Sequence, residues 1–555
     1  MTELLHEVTH AAEDPFDLEI FRYLAESVVD EVEINLTRTA YSPLIYEYKD
    51  YCVGVLTADF RLLTQSSGSL PIFLADLGPP IADAVEIIGL DSLSPGDIFL
   101  TNYASVAGQH LNNVIAASPL FDGADITGYM AIRAHWADVG GIAPGSITWA
   151  ARDIYQEGIQ YRGLRVVRKG NLVPEVMATI QANTRMSEYV TGDLMAQVAG
   201  CMLGVRRWNE RVARRWRPLQ LARLIEEQFD NSEKIARQRI RQLPEGEYSA
   251  SCRLDDAGIS GTAPLNLTVR ISVRKDSLVV DLSGLPPQVS TPMNAGANGG
   301  ALSAIRVAYK SLVAPNRPAD EGLFRPLTVD IPPGRILSAD GQAPLGHWNA
   351  TLPTVIDLFL RAIGERAPEL VPAGHHATMG IFMFHARGLD GKWWQFIDTN
   401  LGGWGGSVHS DGFSPLKTLF HGDNRDIPVE VLEARFPLRV LSYGFRRDAA
   451  GAGKHRGGWG TQKVIEILDD VFAEFSMDRT LEPPWGLFGG DPGKPGDIQI
   501  KLPGTSRWVS RLKAAGIALP KGTQVRIRAA GGGGWGKPIK GSRVRPRSRD
   551  RAKVP

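Results

Sequence analysis

Two histidines, His110 and His135, are each followed three positions later by a side-chain oxygen, at Asn113 and Asp138. Imidazole nitrogens combined with amide or carboxylate oxygens form a donor set suited to a borderline divalent ion such as Zn, Mn or Fe. The stretch between them reads as a hairpin. Pro119-Leu120-Phe121 is apolar, Asp122-Gly123 is a turn signal, and Ile126 to Ile132 has the character of a buried strand. A hairpin returns its two ends to one place, so this spacing predicts both imidazoles on a single cavity. A lone histidine is more often a hydrogen-bonded core residue than a ligand, but two such units flanking one hairpin shift the balance. Asp50 opens the apolar run Tyr51 to Leu56, where a carboxylate is either a cap or a site residue.

A second concentration of histidine lies in the segments GHWNATLPTV, VPAGHHATMG and DTNLGGWGGSVHSDG. His347, His375, His376 and His409 sit in or beside glycine-containing turns, which allow close backbone approach, and they are expected to form a second wall of the site. Two glycine-rich segments invite a phosphate reading. The first, TPMNAGANGG, enters a helix and offers backbone amides to an anion, but lacks a G-x-G-x-x-G fingerprint. The second, Gly531 to Lys537, has Pro538 where a phosphate loop needs Ser or Thr, so no ATP-binding loop of that type is present.

The elements that must position these residues follow from periodicity. Asp14-Pro15 reads as a helix start, and Leu18, Phe21, Leu24, Val28, Val32 and Leu36 recur at helical spacing to about Thr39. A further helical region follows Asn183-Thr184-Arg185, where Asn183, Arg185, Gly192, Asp193 and Gln197 cap and solvate it more readily than they line a pocket. Past Trp208 the pattern stays helical and charged, broken at Pro218. From Pro244 the alternation turns to period two, and beyond Phe436 short apolar runs are separated by glycine. The expected fold is α+β, a mixed multi-domain architecture with a helical N-terminal half and a Gly-rich, β-rich C-terminal unit. Its expected divisions are an N-terminal metal-site domain (1–244), a central mixed domain (245–435), a β-rich C-terminal domain (436–540) and a basic tail (541–555).

Composition excludes several classes. With 61 basic and 61 acidic residues in 555, the chain has no general attraction for nucleic acid or anionic membrane. Cys52, Cys201 and Cys252 are too few and too scattered for a disulfide framework or a cysteine zinc site. No signal peptide or 18-residue apolar run is visible. A cytoplasmic, soluble protein is expected.

Taken together, GQHLNNV, AHWADVGG-x-x-PGS, the Glu157-Gly158 pair, NTR, GDL-x-AQ, NAGANGG, GAGKHRGGWG, PPWGLFGG and RAAGGGGWGKP resemble the hydantoinase B/oxoprolinase family from about residue 15 to 538. The resemblance implies a division of labour. A hydantoinase A-type partner with an actin-like ATPase fold uses ATP to activate a carbonyl substrate, and the B-type chain completes the reaction at a divalent transition metal (Zn, Mn or Fe). It places the metal on His110, Asn113 and His135, with Asp50 as a further ligand. Asn113 stands where the family usually has aspartate, which removes a negative charge from the set. Three carboxylates become catalytic candidates: Asp138 as general base or as orienter of a ligand histidine, Asp50, and Glu157. The implied reaction is hydrolysis of a cyclic amide of the hydantoin, lactam or oxoproline type within a hetero-oligomer. A ketone carboxylase of the acetone or acetophenone type and a non-catalytic scaffold with a degenerate metal site remain as alternatives.

Overall fold

The computed structural model describes residues 16–73, 76–258, 262–422 and 424–538. The helix start at Asp14-Pro15 and the basic tail expected at 541–555 lie outside them.

Phe21, Ala25, Val28, Val29, Val32 and Leu36 are the buried stripe of the first helix, Asp17–Thr39, at the spacing an amphipathic helix requires. It packs beside the helix Ser187–Trp208, and both lie on a seven-stranded sheet. The strand order is Leu62–Gln65, Tyr51–Thr57, Asp125–His135, Asn113–Asp122, Ile98–Thr101, Arg162–Arg168, Asn171–Leu172, with neighbours antiparallel. Tyr51–Thr57 and most of Asn113–Asp122 are buried at successive residues, hence on both faces. That double cover explains why these strands read as continuous apolar runs instead of alternating ones.

Gln197 and Asp193, on the helix Ser187–Trp208, hold structure together. Gln197 donates to the carbonyls of Val114 and Ile132 and accepts from the Trp136 indole. Asp193 accepts from the amides of Tyr41 (2.8 Å) and Ser42 (3.0 Å), fixing the turn after the first helix. Burial pushes its carboxyl up to about 7, against the pull of those two amides. The folded chain therefore keeps a proton that the unfolded chain releases near pH 4. Stability is full below that value and falls as pH rises through 7. Asp193→Asn keeps the acceptor oxygen and removes this penalty. Its unfolding midpoint should match wild type at pH 4 and exceed it at pH 8, by about 1.4 kcal/mol for every tenfold of excess proton affinity removed. A gain equal at both pH values would contradict the assignment.

A second sheet, in the order Leu327–Asp330, Ser277–Asp281, Leu265–Arg274, Gly246–Leu254, carries the helix Leu352–Gly364 against its inner face. The remaining strands form two sheets. One is Trp393–Asp398, Ile381–Arg387, Val471–Ser476, Lys513–Leu519, and the other is Leu438–Arg446, Gly460–Ile467, Gln524–Arg528, Asp497–Lys501, Val509–Ser510. They share a core that includes Phe382, Phe384, Phe396, Ile465, Phe475 and Ile527. Ile381–Arg387 and Trp393–Asp398 thus precede residue 436 in sequence yet belong to the same core as strands that follow it. The architecture is the mixed, multi-domain α+β class expected from sequence. Among the described residues, no helix is long and apolar enough to cross a membrane.

The C-terminal glycines do something other than punctuate strands. Residues 529–536 run through the middle of a bundle of extended segments, and successive amides bond to different neighbours. Gly531 donates to Lys494, Gly532 to Gly458, Gly533 to Gly374 and Gly534 to Asp491, at 3.2, 2.9, 2.8 and 2.9 Å. A β-strand would send alternate amides to one neighbour; this chain distributes them around itself, so every donor is satisfied outside its own stretch. With Trp535 donating to His455 and Gly536 to Leu487, the amides of residues 531–536 in the apparent phosphate loop are all engaged. The bundle also fixes Gly374, immediately before His375 and His376.

Candidate active site

The hairpin Asn113–Asp122/Asp125–His135 sets Asn113 directly opposite His135, so their side chains share one face of the sheet. His110 precedes the hairpin on a loop that the NAGANGG segment holds down. The Gly296 amide donates to the Gly108 carbonyl (3.0 Å), and Asn298 Nδ2 donates to the Val106 carbonyl (2.9 Å). A Cβ at Gly108 would meet the Gly296 backbone at 2.8 Å, and Gly108 has φ +68°. Both glycines are needed for this approach. The glycine-rich loop thus serves the histidine rather than an anion.

The His110 and His135 rings lie edge to face with centroids 4.8 Å apart, and the Trp348 ring stands 5.7 Å from His110. Burial pushes His110 down to about 4, opposed in part by the Asn113 side chain and the Gly346 carbonyl. Burial, and then the neighbouring His110, hold His135 well below the ordinary histidine range. Both rings are neutral at pH 7, with nitrogen lone pairs available. His135 Nδ1 and Asn113 Oδ1 are buried without a hydrogen-bond partner. Such atoms are rare, because each forfeits its hydration without recompense. Two neutral imidazoles and an amide oxygen fit a borderline divalent ion. Among the described residues, no three His, Cys, Asp or Glu side chains gather closely enough to hold one, so the amide oxygen of Asn113 would be the third donor beside the two imidazoles.

The other expected residues fall around this centre in different ways. His347 is fully buried and stacks on Trp149 at 4.0 Å, with both ring nitrogens unpartnered. Burial and then His110 push it down to about 3. Glu157 accepts from the amides of Leu345 (2.9 Å) and Gly346 (2.7 Å) through Oε1, and leaves Oε2 bare. Burial pushes its carboxyl up to about 8, so at neutral pH it carries a proton. The Gly346 carbonyl lies 3.4 Å from His110 Nδ1, so Glu157 and His110 grip the same turn.

Asp50 meets the site through its backbone: its carbonyl accepts from the His135 amide at 3.1 Å. Burial pushes its carboxyl up to about 7, with Arg133 pulling the other way. The carboxylate does not complete a three-ligand set with the two imidazoles. Asp138 is fully buried and accepts from Gly145 N (2.9 Å), Thr184 Oγ1 (3.0 Å), Arg185 N (2.7 Å) and Arg185 Nη1 (3.1 Å). None of those partners is an imidazole; its bonds tie the 140–146 turn to the segment before the helix Ser187–Trp208. His375 lies 3.3 Å from Asp357, whose other oxygen accepts from Arg479 and Trp485. His376 is buried with both nitrogens unpartnered, whereas His409 is exposed.

Three participants escape a reading by motif. Asn113 Nδ2 donates to Gln109 Oε1 (2.8 Å), Gln109 Nε2 donates to Asp76 Oδ2, and Asp76 is paired to Arg133 at 2.5 Å. Asp76 and Arg133 are fully buried. Their sequence signal is a charge set within an apolar run, Asp76 among Leu70 to Leu90 and Arg133 within the second hairpin strand. A surface cleft of about 480 Å³, lined by Tyr103, Ser105, Tyr155, Gln160, Asp340, Gly341 and Gln342, includes none of these residues.

Comparison with known proteins covers 94–95% of the chain. It is 28% identical over 540 residues to the B component of a putative D-/L-hydantoinase from Pseudomonas sp. (strain NS671), covering 95% of this chain and 90% of that one. It is 26% identical to the beta chain of the caprolactamase of Pseudomonas jessenii, covering 95% and 91%. The 5-oxoprolinase of Dictyostelium discoideum is 25% identical over 94% of this chain, which spans 40% of that larger protein. In structure, the fold matches the ATP-dependent caprolactamase of Pseudomonas jessenii with TM-score 0.87 at 24% identity, covering 95% of this chain and 92% of that one. It matches an acetone carboxylase in nucleotide-free form with TM-score 0.85 at 16% identity, covering 95% and 76%. The sequence model of one family, hydantoinase B/oxoprolinase, spans residues 14–538, and the chain belongs to that family.

Proposed function

We propose that this chain is the B-type subunit of an ATP-dependent amidohydrolase complex that opens a cyclic amide of the hydantoin, lactam or oxoproline type. The observation that carries the reading is the convergence of two neutral imidazoles and an unpaired amide oxygen at the root of one hairpin. His110, His135 and Asn113 would hold a divalent transition metal there. When bound, such an ion supplies Lewis acidity toward a carbonyl oxygen and toward water. The protein groups do the rest. Trp348 against His110 and Trp149 against the neighbouring His347 exclude solvent there, which strengthens every polar interaction inside. Glu157, held by two amides through Oε1, keeps its proton on Oε2, the oxygen free to give it to a departing amide nitrogen. Activation of the substrate falls to a partner, an actin-like ATPase subunit of the hydantoinase A type. Two features support that assignment: relatives of this chain are named as subunits, and the amides of its apparent phosphate loop are engaged in the glycine bundle.

The test is elemental analysis and turnover of the purified complex. The wild-type complex should carry near-stoichiometric Zn, Mn or Fe and open a cyclic amide only with ATP and both subunits present. The double variant His110→Ala, His135→Ala should lose the metal while keeping its fold by circular dichroism. Undiminished turnover by that metal-free variant would overturn the reading. ATP hydrolysis by this chain alone would overturn the division of labour.

A further inference from the structure

We propose that Asp76 and Gln109 are positioning residues whose hydrogen-bond polarity obliges Asn113 to present its carbonyl oxygen, never its NH₂ group, to the site. The inference deepens the metal reading above and rests on it for its functional meaning, though not for its geometry.

The chain of logic starts at the far end. Arg133 and Asp76 are fully buried and 2.5 Å apart. The Arg133 guanidinium keeps its charge in any protein interior and, at 2.5 Å, holds Asp76 as the carboxylate against burial, which pushes that carboxyl above its usual range. An ionised carboxylate can only accept. Gln109 meets Asp76 at Oδ2, so it must offer its Nε2 hydrogens there. Its amide is planar, and Oε1 is then turned to the opposite side, where it faces Asn113 at 2.8 Å. An oxygen can bond there only to a donor, so Asn113 must offer Nδ2. By the same planarity, Asn113 Oδ1 is left pointing away from Gln109; it is buried without a partner, on a residue that sits opposite His135 and whose side chain acts on the His110 ring. Two amide flips that are individually free in solution are thus settled by one buried ion pair. The sheet fixes both ends: Arg133 is two residues before His135 on the same strand, and Asn113 is opposite His135 on the next.

The arrangement also explains what an asparagine does in this position. A carboxylate presents an oxygen whichever way it rotates, so it needs no orienting partner. An amide presents the wrong atom half the time unless something holds it. The relay therefore makes a neutral ligand oxygen dependable, and it opposes the exchange of Asn113 for Asp. A carboxylate at 113 would face Gln109 Oε1. Turning Gln109 over would only move the clash to Asp76.

The experiment titrates Co²⁺ into the metal-stripped full chain, read by its visible absorption, for wild type, Gln109→Leu, Asn113→Asp and the double variant Gln109→Leu/Asn113→Asp. Gln109→Leu should weaken Co²⁺ binding by roughly 10- to 100-fold, the usual effect of removing the partner that orients a ligand. Adding Asn113→Asp to it should restore binding to at least the wild-type level, because the carboxylate needs no orientation. Damage of a merely structural kind would not be repaired by that second change. Unfolding of the stripped protein provides the geometric arm. Gln109→Leu and Asn113→Leu should be non-additive, the double variant having a midpoint above that expected from the two single shifts. Additive shifts, or a Gln109→Leu variant that binds Co²⁺ as wild type does, would overturn the proposal. Non-additive shifts in a wild-type chain that takes up no Co²⁺ would leave the relay standing and remove the metal from the proposed function.

Discussion

Replacing Gly532 by alanine should prevent folding, or cost about 3 kcal/mol or more, the upper end of what overpacking exacts. The methyl group would meet the carbonyl of Trp404 well inside 3.0 Å, nearer than real Cβ atoms come to any neighbour. The obstacle is backbone, so no rotamer change relieves it. Trp404 cannot retreat, because its own carbonyl accepts from the Gly458 amide at 2.7 Å and its amide donates to Phe413 at 3.1 Å. Gly532 in turn accepts from Gly451 and donates to Gly458, both at 2.9 Å. One added carbon would therefore have to part several segments of the bundle together. Gly444 is the control, since a Cβ there meets nothing within 4 Å. Gly444→Ala should lie within about 0.5 kcal/mol of wild type. Soluble yield and thermal unfolding of the two variants decide the matter, and a Gly532→Ala protein that melts with wild type would show the bundle to be loose.

Lys463→Met should destabilise the protein by about 3–5 kcal/mol at pH 7.5, the cost of leaving a buried charge unpaired. Lys417 and Lys463 alternate with Asp398 and Asp426 in a closed ring whose contacts are 2.6, 2.9, 2.9 and 3.3 Å. Both lysines are buried, and so is Asp398. Tyr443 donates to Asp426 at 2.6 Å, and Lys417 also binds Thr399, which is bonded to Tyr48 two residues before Asp50. The ring thus joins the C-terminal sheets to the edge of the candidate site. Burial favours the neutral acid at both carboxyls; at Asp426 the two lysines outweigh it and hold the group below its usual range. Take Lys463 away and two carboxylates share one cation. One of them then keeps a proton in the folded state above its unfolded pKa of about 3.9. The variant's stability is full below that pH and is lost as pH rises through the raised folded value. The deficit against wild type should accordingly shrink between pH 7.5 and pH 5. Denaturant midpoints at the two pH values test this; a deficit under about 1 kcal/mol, as for an exposed pair, would mean that water reaches the ring.

Much of the fold was legible because its signals are local. The first helix announces itself by Phe21, Val28, Val32 and Leu36, and the histidine hairpin by Asp122-Gly123 between two apolar runs. The C-terminal glycines were legible as unusual but not as a bundle. Period two and glycine turns describe strands that exchange bonds with one neighbour, whereas 529–536 bonds residue by residue to segments up to about 160 positions away, such as Gly374. Nothing in the local pattern encodes that. Nor could spacing distinguish the carboxylates. Asp138 and Glu157 read alike in sequence, yet one is saturated by donors and the other has a bare, protonated oxygen.

The sequence by itself determined the family, the mixed α+β class and the pairing of His110 with His135, since a short hairpin leaves its two ends no other place to go. Only the tertiary structure decided the polarity of the site. Whether Asn113 shows oxygen or nitrogen depends on Gln109, and through it on Asp76, a residue more than thirty positions upstream that reads in sequence as a mere interruption of an apolar run. Hydrogen-bond direction is a property of a closed network of donors and acceptors, and a network closes only when the chain has folded.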